Sequence, residues 1–229
     1  MIDTIIIPVL NRLDLLERCL SSIVAETHSP DVIIIDNGGV VPAWLVEDWK
    51  RDGVTRGLRD VRVISPGSNL GVATSWNLGV KASPFSRGWL FLNSDAWFDS
   101  DQFDQFAADC VEHDFVQAGS PPWCCSYISD DAICLVGLFC ERFYPAYMED
   151  LDWQRRARIH GIEPVASSAL VHHDNSSTIA SDEDLRNRND HTHQANALFY
   201  EYRWNTTMPG GLPRDSEWSL ATRRNQAWE

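Results

Sequence analysis

The stretch "GWLFLNSDAW", Gly88 to Trp97, decides how the rest of the chain is read. Trp89, Leu90, Phe91 and Leu92 are apolar without alternation, the pattern of a strand covered on both faces. The run stops at Asn93-Ser94-Asp95. A strand covered on both faces belongs to a parallel sheet flanked by helices, and such sheets bind ligands at the carboxyl ends of their strands. An acid at that edge suits Mg²⁺ or Mn²⁺, which share oxygen ligands between one or two carboxylates and substrate phosphates. An Asx-type turn explains the same letters about as well, so the neighbouring segments must decide.

Upstream, strand and helix patterns alternate. Thr4 to Val9 is a β-branched run closed by Pro8 and Asn11. Leu13, Leu16, Leu20 and Ile23 recur at helical spacing, and Asn11 with Asp14 resembles a capping box. Asp31 to Asp36 predicts a second strand that ends in the turn Asn37-Gly38-Gly39. Pro42 suits the first turn of a helix carrying Trp44, Leu45 and Trp49. Val61 to Ile64 reads as a third strand, Pro66 to Asn69 as a loop, and Val72 to Lys81 as a helix. Strands separated by helices predict β-α-β units and a mainly parallel sheet. Polar residues then fall at each strand end: Asn11 and Arg12, Asp36, Asn69, Asp95. That recurrence argues more strongly than any one of them.

Downstream, Phe103, Phe106, Ala107, Cys110 and Val111 mark an amphipathic helix. Val116 to Phe139 reads as short strands and loops, and Glu149 to Gly161 as a helix with acids in its first turn. Val165 to Val171 is a last strand, leading into His172 and His173. A polar tail from Ser181 carries an aromatic island, Phe199 to Trp204.

Three of these features offer chemistry. Glu149, Asp150 and Asp152 are favoured at a helix start by its dipole, yet one of them would also serve as a general base. Helical spacing places Asp150 on the face of Trp153 and points Asp152 elsewhere. Adjacent histidines at a strand end project in opposite directions, so one of the pair His172 and His173 faces the crevice, as a structural residue or an Mn²⁺ ligand. Asp36 either caps its turn or accepts the ring N–H of a uracil or thymine base. Trp123, Tyr144, Tyr147, Trp153 and Trp204 offer an acceptor-stacking surface, with packing as the commoner role.

Other classes lose their signals. A formal charge of −14 argues against nucleic acid or an anionic membrane as the main partner. No P-loop, no G-x-G-x-x-G and no G-x-S-x-G occurs. The six cysteines read as reduced core residues. Met1 leads straight into a strand, without a signal peptide or any transmembrane run, which predicts a cytoplasmic protein. The glycosylation patterns at Asn175 and Asn205 are then expected to be idle.

Six stretches in register, "IIIPVLNRLDLLERCLSSI", "VIIIDNGG", "NLGVATSWNLGV", "WLFLNSDAWF", "FYPAYMEDLDWQRRARIHG" and "LVHHDNSST", resemble the family 2 glycosyltransferases of the GT-A fold, particularly rhamnosyltransferase-like members. A weaker echo is "ALFYEYRW". The resemblance implies an α/β, Rossmann-like sheet with flanking helices and a smaller acceptor-side region. It places one catalytic domain over 1–178, with a nucleotide-sugar half at 1–98 and an acceptor half at 99–178. Residues 179–229 form a helical or irregular extension packed on it.

Roles follow from the same resemblance. Pro8, Asn11 and Arg12 line the nucleotide site and Asp36 binds the base. Asn69 and Gly71 pack beside ribose and diphosphate, with Asn77 close by. Asp95 matches the metal-binding acid of the D-x-D signature; Asn93 stands where its first acid often is, with Ser94 between. Asp150 falls at the general-base position, with Glu149 as neighbour or substitute, and His172 matches a histidine that completes the metal site. The implied activity is an inverting, Mn²⁺- or Mg²⁺-dependent transfer of a hexosyl or deoxyhexosyl group. The donor is a nucleotide sugar, UDP- or dTDP-linked by preference and GDP-linked as an alternative. The acceptor is a glycan, a lipid-linked glycan or a protein. A sugar nucleotidyltransferase and a non-catalytic nucleotide-sugar-binding relative are the competing readings.

Overall fold

The computed structural model describes residues 1–174 and 183–205, excepting the side chains of 183–185, 188, 189 and 205. The first half runs β1 (Thr4–Val9), α1 (Leu13–Ser22), β2 (Asp31–Asp36), α2 (Ala43–Thr55), β3 (Asp60–Ile64), α3 (Gly71–Ala82), β4 (Gly88–Leu92) and β5 (Ala96–Phe98). The second runs α4 (Gln102–Asp109), β6 (Phe115–Gln117), β7 (Cys125–Ser129), α5 (Asp130–Val136), α6 (Glu149–Ile159), β8 (Val165–Ala166), β9 (Val171–His173) and α7 (Glu183–Asn205). One sheet has the order β3-β2-β1-β4-β7-β6-β8, while β5 and β9 form a separate ribbon. β1 pairs in parallel with β2 and β4, and β2 with β3. β7 is antiparallel to both its neighbours, and β8 is parallel to β6. The carboxyl ends of β1 to β4 therefore share one edge.

The unalternating apolar strands have a direct cause. Successive side chains point to opposite faces, and both faces are covered. Ile5, Ile7, Val32, Ile34, Leu90 and Leu92 enter a core shared with Leu16, Leu20 and Phe106. Ile6, Ile33, Ile35, Trp89 and Phe91 enter a second core with Trp76, Phe139 and Trp153. Five of the six cysteines are buried, and all are free thiols.

Four expectations change. Val165 to Val171 is not one strand: β8 joins the main sheet, whereas β9 pairs with β5. The break between them is held by Asp109, which accepts from Ser167 Oγ at 2.6 Å and from the Ser168 N–H at 3.1 Å. Within the region read as strands and loops, α5 forms behind Ser129, whose hydroxyl accepts from the Ala132 N–H. That helix is too short for its periodicity to register. At α1 the N-cap is Arg12 with no side-chain cap bond, and Asp14 pairs with Arg12 instead of with Asn11. Finally, the buried stripe of α6 is Glu149, Asp152, Trp153, Arg156 and Ala157, so Asp152 lies inward and Asp150 half-buried beside it. Steps of three and four residues return to one helical face, and burial of Trp153 selects which.

Helix α7 carries the aromatic island. Phe199 lies 5.0 Å from the ring of Phe143, and Trp204 is buried. Residues 175–182 and 206–229 lie outside the described residues, and with them the pattern at 175–177, the end of the expected catalytic domain and much of the expected extension. Among the described residues no helix is long and apolar enough to cross a membrane.

Candidate active site

The shared strand edge gathers the polar residues. Pro8 lies near the end of β1 and Asn11 and Arg12 follow it, all half-buried, with Arg12 bound to Asp14 through two hydrogen bonds of 2.8 and 2.6 Å. At the end of β2, Asp36 is buried and its two oxygens accept from the Val40 and Val41 N–H groups, both at 3.0 Å. Its local role is thus the turn cap. The next residue, Asn37, was given no role by the sequence: Nδ2 donates to Ser75 Oγ at 2.8 Å and Oδ1 accepts from the Leu70 N–H at 2.9 Å. It pins the β2 turn to the start of α3. An Asn before Gly-Gly reads as a turn former, so nothing local reveals such distant partners.

After β3, Asn69 Oδ1 accepts from the Gly71 N–H at 2.9 Å. Gly71 sits at φ 75°, and a Cβ there would lie 2.6 Å from the Pro145 carbonyl oxygen. Both facts require glycine. The adjacent Val72 N–H donates to that same carbonyl at 2.7 Å. Asn77, expected close to the ribose and diphosphate, has its amide engaged in the fold. It is fully buried, and its amide bonds Phe139 at both backbone groups and Glu141 Oε1 at 2.8 Å. Those bonds fix the segment after α5 onto α3.

At the end of β4 the turn delivers Asp95, which is 8% exposed. His173 Nε2 lies 2.9 Å from Asp95 Oδ1 and 3.3 Å from Asn93 Nδ2. The register Ala96↔His173 and Trp97↔His172 explains the choice. Neighbouring residues on β9 face opposite ways, so His172 points outward, stacked on Trp97 at 5.2 Å with Nε2 2.8 Å from Asp99 Oδ1. The histidine beside Asp95 is therefore His173, not the expected His172. The sequence foresaw that only one would face inward; the exact strand register, set by β5, decided which.

The donor set fits a hard divalent cation. One carboxylate oxygen and one imidazole nitrogen already converge, with a carboxamide alongside, and Mn²⁺ accepts both ligand types. Among the described residues no group of three His, Cys, Asp or Glu assembles.

Glu149 and Asp150 open α6. Glu149 is sealed at 4% exposure, and burial, aided by the charge of Asp150, pushes its carboxyl well above the usual range. Burial also raises Asp150, against the opposing N–H of Leu151 that donates to Oδ1 at 2.7 Å. Asp150 remains half-buried, so of the two it is the one open to a substrate. Asp152 is wholly committed to Arg156, Arg203 and Trp204.

Most of the aromatic candidates are core. Trp123 and Trp153 pack with Trp76, Phe115 and Phe139, for example Phe115 to Trp153 at 5.1 Å. Tyr144 stays half exposed, and its hydroxyl donates to the Asn69 carbonyl at 3.2 Å. A cavity of about 530 Å³ lies elsewhere, between α2 and β3, and none of the candidate residues lines it.

A parallel run of four strands in the order 3-2-1-4, extended by an antiparallel strand and with an acid at the end of the fourth, is the α/β sheet of the GT-A fold. Solved structures agree on the fold. TarS of S. aureus (residues 1–349) superposes with a TM-score of 0.60 at 15% identity, over 90% of this chain and 73% of that one. A mannosyltransferase from Pyrobaculum calidifontis, solved with GDP-Man and Mn²⁺, gives 0.65 at 12% identity, over 95% and 68%. GalNAc-T7, solved with UDP, GalNAc and Mn²⁺, gives 0.60 at 10%, over 76% of this chain and 44% of that one. Identities this low speak for the fold alone. Comparison with curated protein sequences finds no match. The model of the family described as Glycosyl transferase family 2 matches residues 4–123, and this chain belongs to that family.

Proposed function

We propose that the chain is an inverting glycosyltransferase that moves a hexosyl or deoxyhexosyl group from a nucleoside-diphosphate sugar to an acceptor hydroxyl. The observation that carries the reading is the pairing of Asp95 with His173 at the strand edge, with Asp150 as the open acid on α6. Relatives of the same fold were solved with UDP-GlcNAc and with GDP-Man, which supports a nucleotide-sugar donor. A uracil or thymine base, presented to Asp36, is the favoured identity, and guanine the alternative.

The chain's residues divide the work. Asn11, Arg12, Asp36, Asn69 and Gly71 hold and orient the nucleotide. Asp95 and His173 would hold Mn²⁺ or Mg²⁺, which when bound offsets charge on the departing diphosphate. Asp150 removes the proton of the acceptor hydroxyl as its oxygen bonds to the anomeric carbon. The bond from that carbon to the diphosphate oxygen breaks on the opposite side, and its electron pair leaves with the nucleoside diphosphate. One displacement inverts the centre. Raised by burial, Asp150 is a better proton acceptor than an exposed aspartate. Burial and the neighbouring Asp150 charge both favour the neutral form of Glu149.

The test is nucleoside diphosphate release from UDP-, dTDP- and GDP-sugars with Mn²⁺, in wild type, Asp150→Asn and Glu149→Gln. The reading expects Asp150→Asn to lose about 10²-fold or more of the rate and Glu149→Gln to lose less. Near-normal release by Asp150→Asn would reject Asp150 as the base, and release of pyrophosphate in place of a nucleoside diphosphate would indicate a nucleotidyltransferase.

A further inference from the structure

The chain enters α6 through two consecutive left-handed residues, Tyr147 at φ 78° and Met148 at φ 75°. They immediately precede Glu149 and Asp150. Non-glycine residues hold such a conformation only where the surroundings over-determine it. Here much of that restraint comes from α7. Asn196 is buried, and its Nδ2 lies 2.8 Å from the Ala146 carbonyl, 3.3 Å from that of Tyr144 and 3.4 Å from that of Tyr147. A carboxamide has two N–H donors, enough to serve the short contact and share the other between the longer two.

The same loop is tied to the nucleotide side. The Val72 N–H donates to the Pro145 carbonyl at 2.7 Å, and the Tyr144 hydroxyl to that of Asn69 at 3.2 Å. Residues 144–148 thus join the Asn69–Gly71 turn to the helix that bears Asp150. Phe199 on Phe143 and His193 on Tyr147 add ring packing from α7, without hydrogen-bond direction. Asn196 gives the direction.

We infer that Asn196 is a positioning residue: its amide clamps the 144–148 loop so that Asp150 is set at a fixed place relative to the nucleotide turn. The inference rests on the reading of Asp150 as the base. Loss of the amide leaves α7 docked through Asp152, Arg203 and Trp204, so the effect is local. A displaced base slows the reaction while leaving nucleotide binding in place.

The test compares the full-length wild type with Asn196→Ala, Asn196→Asp and the double variant Asn196→Ala/Met148→Gly. Three quantities are read: Mn²⁺-dependent affinity for UDP, dTDP and GDP, turnover of the matching nucleotide sugar, and amide hydrogen exchange. Asn196→Ala is expected to keep nucleotide affinity, lose about 10- to 100-fold in turnover, and exchange faster across 144–152 alone. Asn196→Asp keeps the volume, replaces the donor by an acceptor, and is expected to show the same local exchange even if the alanine variant fails to fold. Glycine at 148 adopts the left-handed backbone without strain and is expected to return part of the lost turnover. Unchanged exchange across 144–152, or turnover, affinity and global exchange failing together without rescue, would overturn the inference. A wild type that binds no nucleotide refutes the functional reading instead, and exchange across 144–152 still decides whether Asn196 clamps the loop.

Discussion

Replacing Asp152 by Asn is expected to be among the most damaging single changes in the fold, although it alters one atom. Asp152 is fully buried; its Oδ2 accepts from Arg156 Nε at 3.0 Å, its Oδ1 accepts from Trp204 Nε1 at 3.1 Å, and Oδ1 forms an ion pair with Arg203, 2.6 Å from Nε. Arg156 also donates to the carbonyls of Val136 at 2.7 Å and Leu138 at 2.8 Å. One carboxylate therefore balances two buried guanidinium groups and joins α5, α6 and α7. The carboxamide of the Asp152→Asn variant would be the wrong partner for at least one donor, and both cations would lose their counter-charge. Breaking a buried pair in this way costs about 3–5 kcal/mol. For a domain of this size each kcal/mol lowers Tm by about 2–4 °C, so the expected loss is roughly 6–20 °C. Arg203→Met leaves the Asp152–Arg156 pair intact and should cost roughly half of the ~3–5 kcal/mol for breaking the whole pair, because the carboxylate keeps one counter-charge. Urea unfolding followed by circular dichroism measures both. A loss under about 1 kcal/mol for Asp152→Asn, or a larger loss for Arg203→Met, would refute the argument that this carboxylate anchors α7.

Gly71→Ala should cost about 1–2 kcal/mol for the left-handed backbone, and more for the Cβ 2.6 Å from the Pro145 carbonyl; unfolding and nucleotide affinity should fall together. His173→Ala should weaken Mn²⁺ binding by about 10- to 100-fold, measured by titration calorimetry, while His172→Ala leaves it nearly unchanged; the reverse ranking would contradict the β5–β9 register. Glu149 is protonated in the fold above its ordinary pKa of 4.5, so its contribution to stability is full below that value and is lost as pH rises toward the folded-state pKa. Wild type should therefore lose stability relative to Glu149→Gln by up to about 1.4 kcal/mol per pH unit across that window, a slope that urea midpoints at a series of pH values will show or exclude. Burial likewise raises Asp150, so the acid limb of the turnover profile should lie above the ordinary carboxylate range, and an unshifted limb would deny Asp150 the role of base.

The N-terminal half was legible because both faces of its sheet are covered. Ile5 to Ile7, Val32 to Ile35 and Trp89 to Leu92 carry that fact letter by letter, and the polar residues that follow them mark one edge. Features fixed by distant partners were not legible. The amides of Asn37, Asn77 and Asn196 read locally as a turn former and two polar helix residues, yet they bond Leu70, Phe139 and Ala146 across the fold. His172 and His173 differ only by strand register, which no local pattern sets. Spacing points Asp152 away from the face shared by Asp150 and Trp153 but does not say which face is buried; Trp153 and the two arginines decide that.

Titration of UDP, dTDP and GDP into the wild type and Asp95→Asn, with and without Mn²⁺, reads the proposed nucleotide and metal site itself. The account predicts that one nucleotide binds wild type, that Mn²⁺ tightens that binding, and that Asp95→Asn removes the metal's effect while the fold persists. Equal binding with and without the metal, or an Mn²⁺ response that survives in Asp95→Asn, would contradict it.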